Sequence, residues 1–204
     1  VWQILRFAIP ALCAGNACAV KPAPSVARVS ETLFSLVPKG LLLIGAWLNH
    51  EDTLKAIEDT DAMAFTGSTH TGRLLAAHAG RHLKKTVLEL GGSNPFIILP
   101  DADLQRAAID ACYSRFRDAG QSCNAAKRII ITQDIAEQFI PLFLAECAKL
   151  QTGNPKDPNT TLAPLHRQDL RQTVHEQVQD AVAHGAQCLS GGYIPDGESW
   201  VYPA

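Results

Sequence analysis

The sequence has no excess of charge of either sign and no long uncharged apolar run. Its 204 residues include 18 Lys and Arg against 20 Asp and Glu, a formal net charge of −2. This balance gives no sign of a basic surface for nucleic acid or for an anionic membrane. No apolar run is long enough to cross a bilayer. We therefore expect neither nucleic acid nor a membrane as a partner.

A secretory signal is also missing, although the first twenty residues are mostly apolar. Arg6 interrupts that stretch, Pro10 follows, and no basic segment precedes it. An initiator methionine is absent, and Val1 leads directly into helical spacing without a cap. The last residues, 197–204, resemble a strand that is cut short. We interpret the chain as a fragment of a longer protein.

Metal-ligand spacing is missing among the cysteines and histidines. The six cysteines, at positions 13, 18, 112, 123, 147 and 188, form no Cys-x-x-Cys pair. Helical spacing alone explains His78 and His82, so we predict no metal site. A long chain with few cysteines is typical of a cytoplasmic protein whose thiols stay reduced.

What the sequence does contain is a regular alternation of short apolar runs and amphipathic stretches. This alternation predicts βαβ units, an α/β fold with parallel sheets, and ligands beside the carboxyl ends of strands. The segment lengths change after Gly91 and Gly92, which predicts domains over residues 1–91 and 92–204. Buried strands are predicted at 17–20, 41–46, 62–66 and 86–90. Further strands are predicted at 95–99 and 128–132, with another beginning at 188.

Helical signals in the second half are more specific. A helix is expected over 101–120, with Asp101 as its N-cap and Gly120 as its stop. Another is expected over 134–150, kinked by Pro141, and a third over 167–184.

The stretch FTGSTHTG follows a predicted strand that ends at Thr66. Gly67 and Ser68 form the turn, and a helix that contains Gly72 begins directly after them. A helix N-terminus carries unpaired N–H groups and partial positive charge, so it can bind phosphate. The spacing is neither GxGxxG nor a P-loop. A capped helix with no ligand explains the same residues.

Glu89 ends an apolar strand immediately before the Gly91–Gly92 turn. Desolvation there would raise the pKa of its carboxyl toward neutrality, which suits a general base. A structural carboxylate that accepts hydrogen bonds from backbone N–H groups is the alternative.

Cys123 lies in the polar turn GQSCNAAKR, with Lys127 and Arg128 close by. A reactive cysteine needs access and groups that favour its thiolate, and this setting offers both. Most single cysteines are instead small buried residues. The other five fit that description better, since each lies in an apolar or amphipathic run.

Taken together, FTGSTHTG, LELGGSNPF and GQSCNAAKR resemble the NAD(P)-dependent aldehyde dehydrogenase superfamily in order and spacing. The resemblance extends over essentially all 204 residues. Within the superfamily, LKKTVLELGGSNPFIILPDADL and GQSCNAAKRIII are most similar to the succinate-semialdehyde dehydrogenase branch.

The resemblance implies a role for each matching residue. Cys123 would be the nucleophile and Glu89 the general base that activates water. The cofactor, NAD or NADP, would be bound by Lys21 at the adenine ribose and by Gly67, Ser68 and Gly72 at the pyrophosphate. Residues 1–91 would then be a Rossmann-like cofactor domain and residues 92–204 part of an α/β catalytic domain. The resemblance also implies a homo-oligomeric parent protein.

The sequence departs from the superfamily in ways that leave alternatives open. The motif with the oxyanion-hole asparagine and the later glutamate motif at the nicotinamide ribose are absent from the 204 residues. Pro24 stands where many NAD-preferring members have an acidic residue. An oxidoreductase of aldehydes is the first hypothesis. A cofactor-binding or structural fragment without turnover is the second, and a cysteine-dependent acyl hydrolase is a third.

Overall fold

The computed structural model describes residues 1–38, 40–41, 43–197 and 200–204. These residues form helices and parallel strand pairs, which confirms the predicted α/β class. The chain divides into two compact units, Val1–Gly91 and Gly92–Ala204. Two of the predicted strands include residues outside the described ranges, namely Leu42 in one and Glu198 with Ser199 in the other.

The first unit contains four helices and four strands within its described residues. Strands β1 and β2 pair in parallel, and so do β3 and β4. The elements are α1 (Trp2–Cys13), β1 (Cys18–Val20), α2 (Ala27–Ser35), β2 (Leu43–Gly45), α3 (His50–Glu58), β3 (Ala62–Thr66), α4 (Thr69–Arg81) and β4 (Lys85–Glu89).

Side-chain caps and a small core hold the first unit together. Asn49 caps α3, since its Oδ1 accepts from the backbone N–H of Asp52 at 2.8 Å. The core is centred on Ala8, Cys18 and Leu43, which join α1 to the β1–β2 pair. Strands β3 and β4 are mostly exposed. The prediction that they are buried is wrong for this chain, because its helices leave much of that pair uncovered.

The second unit has one parallel pair, β5 with β6, and three α-helices among the residues described. A β-bulge lies between Asn94 and Pro95. The core of the second unit packs two helices against this strand pair. Its buried residues are Ile98, Ala108, Ala111, Ile135 and Phe139. The elements are β5 (Asn94–Ile98), α5 (Leu104–Phe116), β6 (Ala126–Ile131), α6 (Gln133–Cys147) and α7 (Gln168–Ala183).

The helical predictions need correction at their ends. Asp103, not Asp101, caps α5, because its Oδ1 accepts from the backbone N–H of Arg106 at 3.0 Å. That helix ends at Phe116, and a 3-10 turn continues to Gly120. The helix α6 runs through Pro141 to Cys147.

The two predicted strands near the C-terminus are wrong for the residues that the structure describes. Residues 188–192 and 200–204 take no strand conformation. Gly191 and Gly192 have φ values of +59° and +78°, which a strand does not allow. The thiol of Cys188 donates to the carbonyl oxygen of Ser190 at 3.2 Å, so the segment forms a local turn.

Candidate active site

The carboxyl ends of β3 and β4 bring two candidate features together in the first unit. In the parallel register Thr66 lies opposite Glu89. The turn after β3 and the end of β4 therefore share one edge of the pair. The backbone N–H of Gly67 donates to the carbonyl oxygen of Glu89 at 3.0 Å. The predicted phosphate turn and the predicted general base are thus joined through the backbone.

Ser68 is the N-cap of α4, and its Oγ accepts from the backbone N–H of Thr71 at 3.2 Å. Two close approaches explain the glycines on either side. A Cβ added to Gly67 would meet the ring of Phe65, and one added to Gly72 would lie 2.5 Å from Cδ2 of Leu90. Gly72 is buried, so its part in this turn is to let α4 pack closely.

Lys21 lies just after β1, at the carboxyl end of the β1–β2 pair. It is exposed, and its Nζ donates to the carbonyl oxygen of Pro22 at 3.4 Å. Pro24 opens a 3-10 turn over Pro24–Val26. An exposed ammonium group and a helix N-terminus approached through a glycine suit the charge of a dinucleotide. The residues present therefore fit NAD or NADP.

Glu89 is less desolvated than the sequence suggests. Its side chain is 50% exposed, and Arg6 contacts it with Nη2 lying 3.7 Å from Oε2. The same Arg6 nitrogen donates to Oγ1 of Thr66 at 3.3 Å. Sequence reasoning missed Arg6, which lies in an apolar helix far from Glu89 along the chain. Helix α1 thus supplies a cation that bridges the ends of β3 and β4.

Cys123 is exposed in the second unit, in the turn between the 3-10 segment and β6. The backbone before it is unusual, since Asp118 and Ala119 have φ values of +53° and +56°. Left-handed conformations cost non-glycine residues about 1–2 kcal/mol each. Such strain often accompanies functional sites, because the surrounding structure has to impose it.

The turn that carries Cys123 is fixed by contacts to its carbonyl groups. Nζ of Lys127 donates to the carbonyl oxygen of Ser122 at 2.9 Å and to that of Cys123 at 3.4 Å. A Cβ added to Gly92 would lie 2.9 Å from the Cys123 oxygen, so only glycine fits there. These contacts hold the backbone and leave the thiol accessible.

The other five thiols differ more than the sequence suggests. Cys13 and Cys188 are exposed, which corrects the expectation that they are buried. Cys18, Cys112 and Cys147 are buried, and burial raises the pKa of each thiol, that of Cys147 to about 12. All six, each within the described ranges, are free thiols.

Alkylation should separate the thiols into two groups. We expect Cys18, Cys112 and Cys147 to react with iodoacetamide at least about tenfold more slowly than Cys123, because they are buried and hold their protons. Peptide mapping over a time course measures the rates, and labelling in urea should equalise them. Cys123 is predicted to react first among the exposed thiols. Faster labelling at Cys13 or Cys188 would contradict that order.

Comparisons with known proteins agree with this architecture. The profile of the aldehyde dehydrogenase family matches residues 1–203. The chain is 40% identical to the succinate semialdehyde dehydrogenase [NAD(P)+] of Escherichia coli K12, over 100% of this chain and 45% of that protein. It is equally identical to the succinate-semialdehyde dehydrogenase [NADP(+)] of Mycobacterium leprae, over 100% and 46%.

The fold is similar to that of a solved structure, the succinic semialdehyde dehydrogenase of Streptococcus pyogenes in complex with NADP+. The TM-score is 0.88 at 34% identity, over 96% of this chain and 44% of that one. The chain belongs to the aldehyde dehydrogenase family, which confirms the resemblance noted in the sequence. It spans less than half the length of these relatives.

Among the described residues, no helix is both long enough and apolar enough to cross a membrane.

Proposed function

We propose that the complete protein oxidises an aldehyde to a carboxylic acid with NAD or NADP. Cys123 acts as the nucleophile and Glu89 as the general base. The observation that carries the proposal is the exposed thiol of Cys123 on a turn held by Lys127 and confined by Gly92. Membership of the aldehyde dehydrogenase family supports it.

The chemistry divides into two halves on Cys123. Its thiolate adds to the aldehyde carbon and gives a thiohemiacetal, whose oxyanion accepts a hydrogen bond from the Cys123 backbone N–H. NAD or NADP, when bound, supplies the hydride acceptor that turns this adduct into a thioester. Glu89 then takes a proton from water, which adds to the thioester carbon. The acid leaves and Cys123 is regenerated as the thiolate.

Lys21, Gly67, Ser68 and Gly72 would hold the cofactor in this proposal. The N-terminus of α4 and the Ser68 hydroxyl would bind the pyrophosphate, Gly67 would let the backbone approach it, and Gly72 lets α4 pack closely. The ammonium group of Lys21 would bind the adenine ribose.

Succinate semialdehyde is the proposed substrate, because two relatives at 40% identity carry that activity in their names. The test is kcat/KM of the complete protein for a panel of aldehydes with NAD and with NADP. The panel should include uncharged aldehydes of matching chain length. We expect succinate semialdehyde to be preferred, and equal rates for an uncharged analogue would rule out selection of the carboxylate.

The second candidate is a cofactor-binding piece without turnover. The observation that favours it is that the chain covers only 45% and 46% of the two relatives. NADPH fluorescence titration of the 204-residue chain, run beside the activity assay, separates the two. Binding without turnover would support this candidate, whereas turnover by the chain itself would exclude it.

Cofactor preference gives a prediction about Pro24. A carboxylate near the adenine ribose accepts hydrogen bonds from its hydroxyls and repels a 2′-phosphate. With proline there, we expect the complete protein to use NADP as well as NAD. Pro24→Glu should shift kcat/KM toward NAD by about tenfold, equivalent to about 1.4 kcal/mol. Pro24→Gln is the matched control without charge. Equal shifts in both variants would mean that loss of the proline ring, not the charge, changes the preference.

We place the complete protein in the cytoplasm as a homo-oligomer. Six free thiols are consistent with a reducing compartment. Size-exclusion chromatography with light scattering measures the mass of the complete protein in solution and so tests whether it is a homo-oligomer.

A further inference from the structure

Three side chains with metal-ligating atoms converge at the ends of α3 and α4. Glu58 is the last residue of α3, His78 lies in the last turn of α4, and His82 caps its carboxyl end. One ligand atom from each lies within 4.8 Å of the others. The sequence predicts no metal site, because the two histidines show only helical spacing and the third ligand comes from another helix.

The distances between these atoms suit a tetrahedral ion. Oε1 of Glu58 lies 3.0 Å from Nε2 of His78 and 3.5 Å from Nε2 of His82. Ligands at about 2.0–2.1 Å from a tetrahedral Zn²⁺ are separated from one another by about 3.3–3.4 Å. The two separations from Oε1 of Glu58 lie on either side of that value. All three ligand atoms lie within 4.8 Å of one another, so side-chain adjustment would complete the site.

His78 provides an independent observation. Within the described part of the chain its Nε2 is buried and makes no hydrogen bond, although Oε1 of Glu58 is only 3.0 Å away. The two facts are compatible, because the oxygen lies close but outside the direction that a hydrogen bond requires. Buried polar atoms normally have a partner. A metal ion between the two side chains would give Nε2 of His78 such a partner.

We propose that Glu58, His78 and His82 bind a divalent transition-metal ion of the Zn²⁺ class, with water as a fourth ligand. Two imidazole nitrogens and one carboxylate oxygen favour Zn²⁺, Cu²⁺ and Ni²⁺ over Mg²⁺ and Ca²⁺. The side chain of His78 is 17% exposed, whereas those of Glu58 and His82 are 39% and 38% exposed. The site therefore has a closed side and an open side through which an ion can enter.

The bound ion ties the end of α3 to the end of α4. Because the three ligands are held together only in the folded chain, binding stabilises the first unit. The site lies at the opposite end of α4 from Ser68, and a helix of 13 residues is about 20 Å long. Metal binding and the proposed cofactor turn therefore do not compete, and the inference does not rest on the proposed function.

Calorimetric titration of the 204-residue chain with ZnCl₂ tests the site. The protein must be free of any histidine tag and alkylated with iodoacetamide, because the exposed thiols of Cys13, Cys123 and Cys188 are themselves zinc ligands. We expect one ion per chain, no binding of MgCl₂, and a rise in Tm with Zn²⁺ that EDTA reverses. Glu58→Gln and His82→Gln should each weaken zinc binding at least about tenfold.

His184→Gln is the matched control. Its Nδ1 lies 3.4 Å from Oδ1 of Asp180, a histidine–carboxylate pair without a second histidine, and the substitution should leave zinc binding unchanged. His82→Gln is the deciding variant, since the His82 side chain lies at the surface, whereas that of His78 is more buried. Absence of zinc binding at about 1 mM, full binding by His82→Gln, or an equal loss in His184→Gln would each overturn the proposal.

Discussion

Cys123→Ser in the complete protein is expected to reduce aldehyde oxidation by on the order of 10³-fold or more, which is the usual scale for loss of a covalent nucleophile. A serine hydroxyl is a far weaker nucleophile than a thiolate at neutral pH, so addition to the aldehyde carbon becomes slow. Cys123 is exposed, so its replacement by serine disturbs no core packing. The measurement is kcat/KM under both cofactors.

Cys188→Ser supplies the matched control, since Cys188 is a second exposed thiol in the same unit. We expect it to retain activity within about twofold, as surface substitutions away from a site normally do. Cofactor binding should survive in Cys123→Ser, because the proposed cofactor residues belong to the first unit. Activity above a tenth of the unmodified protein in Cys123→Ser would remove Cys123 from the proposed role.

Local patterns of the sequence predicted the elements that local forces determine. The run AMAFT is bounded by turns and forms β3 over Ala62–Thr66, as predicted. Ser68 caps α4 because a short hydroxyl side chain can reach the N–H groups of the first turn. The same logic failed at Asp101, where two aspartates compete for one cap and Asp103 takes it.

Contacts between distant segments were beyond these patterns. The Arg6 side chain reaches Glu89 and Thr66 from a helix that lies much earlier in the chain, and no local spacing indicates that contact. The cluster of Glu58, His78 and His82 depends on how two helices end in space, which no spacing along one helix reveals. The prediction that Cys188 is buried failed for a related reason, since Gly191 and Gly192 turn the chain where CLSGG predicts the start of a strand.

Glu89→Gln is expected to separate the two halves of the proposed reaction. Gln has nearly the same shape as Glu but cannot take a proton from water, so hydrolysis of the thioester should slow by about 10²–10⁴-fold. Formation of the thioester on Cys123 does not need that base. Rapid mixing should therefore show a burst of NADH or NADPH close to one equivalent per Cys123, followed by a slow steady state.

Glu51→Gln is the control for this prediction, because Glu51 is an exposed carboxylate on α3 that pairs with Lys55 at 3.1 Å. It should change neither phase, since exposed ion pairs contribute about 1 kcal/mol or less. In Glu89→Gln the Gly67 N–H bond to the residue-89 carbonyl is a backbone contact and is retained, so cofactor affinity should hold. If the burst and the steady state fall together, Glu89 acts before the thioester forms, and its proposed role as the base for water is wrong.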